Sequence, residues 1–169
     1  MTSSWPTVFR GIPPLLRASL PADRQTFQWT ATNWQVKAWY GNRALHYEIT
    51  VRYSAKVVEL GLHFESDELT NARLLGAFRS RAKELKRELG SDVRLEEWDR
   101  GWCRVWEPIA LQKLDAPYAE RIQTRFVDYV RLLEPKLREE LPADVIWRVA
   151  PPKRAPRVTS SRTSRSGRR

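Results

Sequence analysis

The chain has 169 residues, of which 41% are hydrophobic, with a single cysteine and a formal net charge of +10. Length and composition predict one globular domain, and the single cysteine excludes an intramolecular disulfide framework. No stretch approaches the roughly 20 apolar residues of a membrane span, and the N-terminus lacks the layout of a secretion signal. We therefore expect a cytoplasmic protein without a membrane partner.

The first 25 residues predict short helical pieces rather than one long element. Ser4 is a suitable N-cap with Pro6 just inside the first turn, and Pro13 is a second point at which a helix can start. Because prolines recur through this segment, its apolar runs are short.

Residues 34–65 alternate apolar and polar side chains in three runs, which predicts an antiparallel meander with one apolar face. Gly41-Asn42 and Ser54-Ala55 are the predicted two-residue turns, and the first is favoured because Gly tolerates a positive φ. Trp34 falls on the apolar side of the alternation and is expected in the core.

The segment after the meander predicts a helix that Ser66 caps and Gly90 ends, with apolar residues at helical spacing. Two strands follow, around Val93–Trp98 and Trp102–Trp106, and they are joined near Arg100-Gly101. These two strands predict a second hairpin.

A second long helix is predicted after Asp115, with a kink or break near Pro135, whose ring nitrogen cannot donate a hydrogen bond. Cys103 lies in the apolar pattern of the preceding hairpin and is expected to be a buried structural thiol. The predicted fold is α+β: an antiparallel sheet, made of a three-stranded meander plus a second hairpin, covered by two long amphipathic helices.

From Pro151 the composition changes to Pro, Ser, Thr, Lys and Arg, which predicts a disordered basic tail (151–169) after an α+β domain of residues 1–150. Residues 1–150 contain 23 Lys and Arg against 20 Asp and Glu, so most of the excess charge belongs to the tail. Such a tail attracts polyanions by counterion release. We expect DNA or RNA to bind at its seven basic residues, Lys153, Arg154, Arg157, Arg162, Arg165, Arg168 and Arg169.

Four segments between Phe27 and Leu141 carry a resemblance to a known family: VELGLHFESD (58–67), LKRELG (85–90), RLEEWDRGWCRVWEP (94–108) and RFVDYVRLLEPKLREEL (125–141). They resemble a bacterial family of unknown function whose domain often follows restriction-nuclease-like domains. The resemblance implies an α+β fold and a link to nucleic-acid transactions or phage defence. It supplies no catalytic residues.

The polar face of the meander is the candidate site. With two-residue turns, Lys37 lies opposite His46 and His46 opposite His63, so the two histidines are neighbours about 5 Å apart. A four-residue second turn would instead place His63 opposite Glu48. Imidazoles and carboxylates can share a divalent ion or form an acid–base pair, which makes His46, His63, Glu48 and Glu59 a possible metal site. The other interpretation is a solvated face that happens to carry two histidines, and it requires no cofactor.

Tryptophan is unusually frequent, with eight residues. Four of them are candidates for an aromatic surface near basic side chains: Trp39, Trp98, Trp102 and Trp106. Aromatic rings interleaved with arginine stack nucleic-acid bases. The same pattern also closes the edge of a core, with arginine lying over the ring.

Two functions from different classes follow. The favoured hypothesis is a non-enzymatic accessory or binding module whose domain contacts a protein partner or a second copy and whose tail contacts nucleic acid. The alternative is a metal-dependent hydrolase or nuclease that uses the His/Glu group on the polar face. No pattern identifies catalytic residues, and the favoured hypothesis involves no cofactor.

Overall fold

The computed structural model describes residues 4–141. These residues form four helices and six strands, which confirms the α+β class. In chain order the elements are α1 (Trp5–Ser19), β1 (Gln28–Ala31), β2 (Gln35–Trp39), β3 (Leu45–Arg52), β4 (Val57–Phe64), α2 (Glu68–Ser80), α3 (Ala82–Leu89), β5 (Arg94–Asp99), β6 (Trp102–Ala110) and α4 (Ala116–Glu140). The predicted tail, with its seven basic residues, lies outside the described residues.

The six strands form one antiparallel sheet with the order β1-β2-β3-β4-β6-β5. Strands β2, β3 and β4 are the predicted meander, and β5 and β6 are the predicted hairpin, joined at Arg100 and Gly101, which both have positive φ. The two units are not separate, because β6 pairs with β4 along its length. Strand β1 was not predicted, because its exposed residues show no alternation.

The register of the meander is partly as predicted. His46 lies opposite His63 and Arg52 opposite Val57, so the prediction for the second turn is confirmed. The prediction for the first turn is wrong by two residues, because Trp39 rather than Lys37 lies opposite His46. The connection is longer than Gly41-Asn42 because Asn42 builds its own turn: its Oδ1 accepts from the Ala44 N–H at 3.0 Å.

The helical segments also differ from the prediction. Residues 5–19 form one helix instead of short pieces, because burying the side that carries Phe9, Ile12 and Leu16 offsets the backbone bonds that the internal prolines remove. The single helix expected between Ser66 and Gly90 is two helices that meet at Arg81. Asp67 rather than Ser66 caps the first of them, by accepting from the Thr70 N–H.

Helix α4 runs through Pro135 without the predicted break. The carbonyl of Arg131, four residues earlier, would accept the hydrogen bond that proline cannot donate. It instead accepts from Nη1 of Arg24 at 3.4 Å. A side chain from outside the helix therefore replaces part of the missing backbone bond.

Helices α1, α2 and α4 pack on one face of the sheet, the helix face, which carries the core residues of β2, β3, β4 and β6. Cys103 is buried on this face, as predicted, and burial raises the pKa of its thiol. None of the four helices within residues 4–141 is long and apolar enough to cross a membrane. The other side of the sheet, the open face, has no helix over it in the described part of the chain.

Candidate functional site

Polar side chains on the open face are buried although no helix of residues 4–141 covers them. His46 is 1% exposed, Thr50 2%, His63 4% and Glu48 8%. These side chains come from the central strands β3 and β4, so neighbouring strands shield them on both sides. Burying charged groups without partners is expensive, and the arrangement of partners therefore defines the site.

Four side chains on this face form what we call the four-donor cluster: His46, Glu48, His63 and Glu65. One ligand atom from each lies within 4.8 Å of the others. The two imidazoles stack with ring centroids 5.4 Å apart and planes inclined by 14°. The structure thus brings together three of the four residues that the sequence predicted for a metal site.

Glu59, the fourth predicted residue, is not in the cluster. It lies opposite Thr50, as predicted, but its carboxylate contacts Arg52 at 3.3 Å and Arg104 at 3.5 Å. Glu65 takes its place. The alternation of β4 continues through His63 to Glu65, and this signal in the sequence could have found it.

Three of the donor atoms form a triangle in which Oε1 of Glu65 is nearly equidistant from the two imidazole nitrogens. Oε1 of Glu65 lies 3.8 Å from Nε2 of His46 and 3.7 Å from Nδ1 of His63. Two ligands of a tetrahedral zinc ion lie about 3.3 Å apart, given metal–nitrogen distances of about 2.0 Å. A contraction of about half an ångström would therefore bring Glu65 to the separation from each imidazole nitrogen that two zinc ligands have.

Both imidazoles are oriented for a ligand. Nδ1 of His46 donates to the carbonyl of Arg43 at 2.9 Å, and Nε2 donates to Oε2 of Glu48 at 3.2 Å, so a metal ion would displace the Nε2 proton when it binds. Nδ1 of His63 is buried and has no hydrogen-bond partner among the described residues. Burial lowers the pKa of His63, so its imidazole is neutral at neutral pH and can offer a lone pair.

The two carboxylates are held in the charged form. Burial alone would raise the pKa of Glu48, but hydrogen bonds from His46, Thr50 and Lys37 hold it far below the usual range. Burial opposes ionisation of Glu65 as well, and its neighbours again outweigh this effect and lower its pKa. The cluster therefore combines two carboxylates with a neutral imidazole, the ligand types that a divalent transition metal takes.

Lys37 supplies the cation that balances this charge. Its Nζ lies 2.9 Å from Oε2 of Glu48 and 3.9 Å from Oε2 of Glu65. It lies opposite Glu48 in the sheet, not opposite His46 as predicted. The predicted neighbour of Lys37, His46, is therefore replaced by Glu48, with which Lys37 forms an ion pair.

The four predicted aromatic residues all lie on the open face, but they are not equally accessible. Trp39 and Trp106 are buried, with Arg43 over the first ring and Arg104 over the second. Trp98 and Trp102 are half-buried. The first pair thus fits the interpretation of arginine lying over a ring, while the second pair can still contact a ligand.

Trp34 contradicts its predicted place in the core, because it is 47% exposed. It precedes β2 in a turn where Oγ1 of Thr32 accepts from the N–H groups of Trp34 and Gln35. This turn takes Trp34 out of the strand alternation. Its side chain instead lines a cavity of about 270 Å³ on the open face, together with Glu48, Glu65, Trp98 and Trp102.

Comparisons of the chain with protein-family models, curated proteins and solved structures find no match. The resemblance to a bacterial family and the nucleic-acid-binding tail therefore stay predictions.

Proposed function

We propose that the protein is a metal-dependent hydrolase whose metal site is the four-donor cluster. The observation that carries the proposal is the convergence of four donors around the buried Nδ1 of His63, which has no hydrogen-bond partner among the described residues. Buried polar atoms in proteins nearly always have a hydrogen-bond partner or a bound ion, so Nδ1 of His63 indicates a ligand at this position. A divalent ion is a partner that His46, Glu48 and Glu65 could share.

His46, His63 and Glu65 are the proposed ligands, because their donor atoms form the triangle described above. A divalent ion held there would activate water and polarise a substrate oxygen. Glu48 already accepts hydrogen bonds from Thr50 and Lys37, so its carboxylate is fixed beside the triangle. Three ligands and a neighbouring carboxylate leave a position for water or substrate, as catalytic zinc sites do.

Glu48 orients the attacking water by accepting a hydrogen bond from it. A group with a strongly lowered pKa holds a proton poorly, so Glu48 positions the water rather than storing its proton. Hydrolysis adds the water oxygen to the electrophilic centre of an ester and delivers a proton to the leaving oxygen. Lys37 can donate to the substrate oxygen while it stays beside Glu48, because its ammonium group has three N–H donors.

The test is zinc binding by the chelator-treated full chain, with Glu65→Gln compared against Glu59→Gln. Both glutamates lie on or just after β4 with 18% of the side chain exposed, but only Glu65 belongs to the cluster. We expect Glu65→Gln to weaken zinc binding at least tenfold and Glu59→Gln to leave it unchanged. Calorimetry measures the affinity, and the resonances of the two histidines should shift with one equivalent of zinc.

Hydrolysis provides the second measurement. The zinc-loaded chain should cleave bis(p-nitrophenyl) phosphate or p-nitrophenyl acetate, and chelator should abolish the activity. Equal zinc affinity of the two glutamine variants, or histidine resonances that do not respond to zinc, would exclude the metal site. Zinc binding without cleavage of either ester would leave a metal site but remove the hydrolase.

A further inference from the structure

The cavity on the open face has two walls that come from distant parts of the chain. Trp34 and Lys37 lie on the β2 side, and Trp98 and Trp102 belong to the β5–β6 hairpin. Strands β3 and β4 lie between these walls, and side chains from both walls line one cavity. The floor between them contains the two carboxylates of the cluster, Glu48 and Glu65.

Tryptophan dominates the walls. Trp34 exposes 47% of its surface, and the rings of Trp98 and Trp102 lie 5.8 Å apart with planes inclined by 51°. The cavity of about 270 Å³ is slightly smaller than a typical ligand pocket of about 300 Å³ or more. Its size and its rings fit one flat ring system rather than a large ligand.

Trp98 gives an independent sign of a missing ligand. Its Nε1 is buried and has no hydrogen-bond partner within residues 4–141. Its ring packs edge-on against His63 with centroids 6.0 Å apart, and Arg104 lies 5.0 Å from its centroid. The rings of His63 and Trp98 are therefore in contact, and each carries a buried nitrogen without a hydrogen-bond partner among the described residues.

Cations line the same cavity. Lys37 and Arg52 both contribute to its walls, and the side chain of Arg52 is 48% exposed. Arg52 is paired with Glu59 and Lys37 with both Glu48 and Glu65, and a divalent ion in the cluster would offset the two carboxylates that now balance Lys37. The site then offers positive charge beside flat aromatic surfaces. A neutral sugar would use the rings but not the cations, whereas a base joined to a phosphate uses both.

We propose that this cavity binds one nucleotide unit, with its base against Trp34 and Trp102 and its phosphate toward Lys37, Arg52 and the four-donor cluster. The proposal rests on the proposed hydrolase function for the reaction, since it makes the substrate a phosphate ester. Binding of the base itself depends only on the tryptophans. The nucleotide can be free or part of a single strand, because both present the same base and phosphate.

Binding to the full chain should be measured with four probes: adenosine monophosphate, adenosine, ribose 5-phosphate and a six-residue oligo-dA. We expect the monophosphate to bind more tightly than adenosine or ribose 5-phosphate, because only it carries both groups. The indole N–H resonance of Trp98 should shift when it binds. Tighter binding of the oligomer than of the monophosphate would identify a single strand as the source, and the reverse a free nucleotide.

Trp34→Ala and Trp29→Ala form a matched pair for this experiment. Trp29 is 37% exposed and lines a different cavity, beside Pro6 and Arg10 of α1. We expect Trp34→Ala to weaken monophosphate binding about tenfold or more, as loss of one base-stacking ring does, and Trp29→Ala to leave it unchanged. Equal affinities of the two variants, or ribose 5-phosphate binding as tightly as the monophosphate, would overturn the proposal.

Each titration should be run with zinc and with chelator, so that the two proposals fail separately. Monophosphate binding in chelator by a chain that takes up no zinc would support the nucleotide cavity and remove the metal site. Zinc binding at the cluster without affinity for any of the four probes would do the opposite.

Discussion

The two faces of the sheet are built from alternate residues of the same strands, and they become buried in different ways. On the helix face, Ile49, Leu60 and Leu62 are 0% exposed because helices pack over them. On the open face, His46 is 1% exposed within a network of ion pairs and aromatic rings. Apolar burial stabilises the fold, while polar burial fixes charged groups in one geometry. The helix face therefore stabilises the fold, and the open face holds charged groups in fixed positions.

Phe126→Ala should have the largest effect on stability. Phe126 is fully buried between α4 and the sheet, where its ring meets Tyr47 edge-on at 6.5 Å. Its removal leaves a cavity in the core, so we expect a loss of about 3–5 kcal/mol in the free energy of unfolding. Denaturation with urea measures it. Trp34→Ala is the counterpart on the open face and should cost about 0.5 kcal/mol or less; similar losses in both variants would refute the division between the faces.

Gly61→Ala should have the next largest effect, and it tests how tightly the open face is packed. A Cβ at Gly61 would lie 2.5 Å from Cβ of Trp106 and 2.6 Å from the carbonyl oxygen of Val105. Because backbone atoms of β6 cannot give way easily, we expect a loss of about 1–3 kcal/mol.

Gly76→Ala provides the control with the opposite sign. Gly76 lies inside α2, and a Cβ there would meet no atom within 4 Å. Alanine in a helix interior should stabilise the protein by about 0.5–1 kcal/mol. If Gly61→Ala raises the urea midpoint as Gly76→Ala does, the open face is packed more loosely than the structure shows.

The sequence predicts contacts between residues that are close along the chain better than contacts between distant ones. The β3–β4 turn is short, so alternation alone placed His46 beside His63. The longer β2–β3 connection shifted the register by an even number, which kept Lys37 on the correct face but changed its neighbour from His46 to Glu48. The β4–β6 pairing joins strands separated by two helices, and no local pattern reveals such a contact.

The candidate site shows the same limit. Trp34 precedes β2 in a turn, where strand alternation no longer dictates the direction of a side chain, and it was therefore misplaced. Glu65 just after β4 was missed although it continues the alternation of that strand. The pairing of β3 with β4 was predicted correctly, but a pairing does not show which way a carboxylate turns, and Glu59 turns to Arg52 and Arg104 instead of the cluster.

Two buried glutamates, one on each face of the sheet, differ in the direction of their pKa shifts. Glu134 of α4 lies on the helix face, where it accepts from the Tyr47 hydroxyl at 3.0 Å and from Nε of Arg138 at 2.8 Å. Burial dominates there and raises the pKa of Glu134, although Arg138 opposes it. On the open face the partners of Glu48 dominate and lower its pKa. The pKa values of two buried carboxylates are thus shifted in opposite directions.

The smallest predicted effect is a difference in how the free energy of unfolding depends on pH in two variants, Glu48→Gln and Glu134→Gln. Because the folded pKa of Glu48 is lowered, its contribution to stability is present above pH 4.5, the ordinary value for Glu, and is lost as the pH falls below it. Because the folded pKa of Glu134 is raised, its contribution is present below pH 4.5 and is lost as the pH rises through the folded pKa. Glu48→Gln should therefore cost most at neutral pH and Glu134→Gln most in acid.

Urea denaturation of both variants between pH 3.5 and 7.5, in buffer with chelator, measures the two profiles. Glu120→Gln, at an exposed position of α4, controls for the removal of one carboxylate. Against that control, the two profiles should diverge in opposite directions as the pH rises. Parallel profiles would mean that partners do not distinguish the two glutamates. The open face would then hold its charges no differently from the core, and the electrostatic basis for a metal site there would be lost.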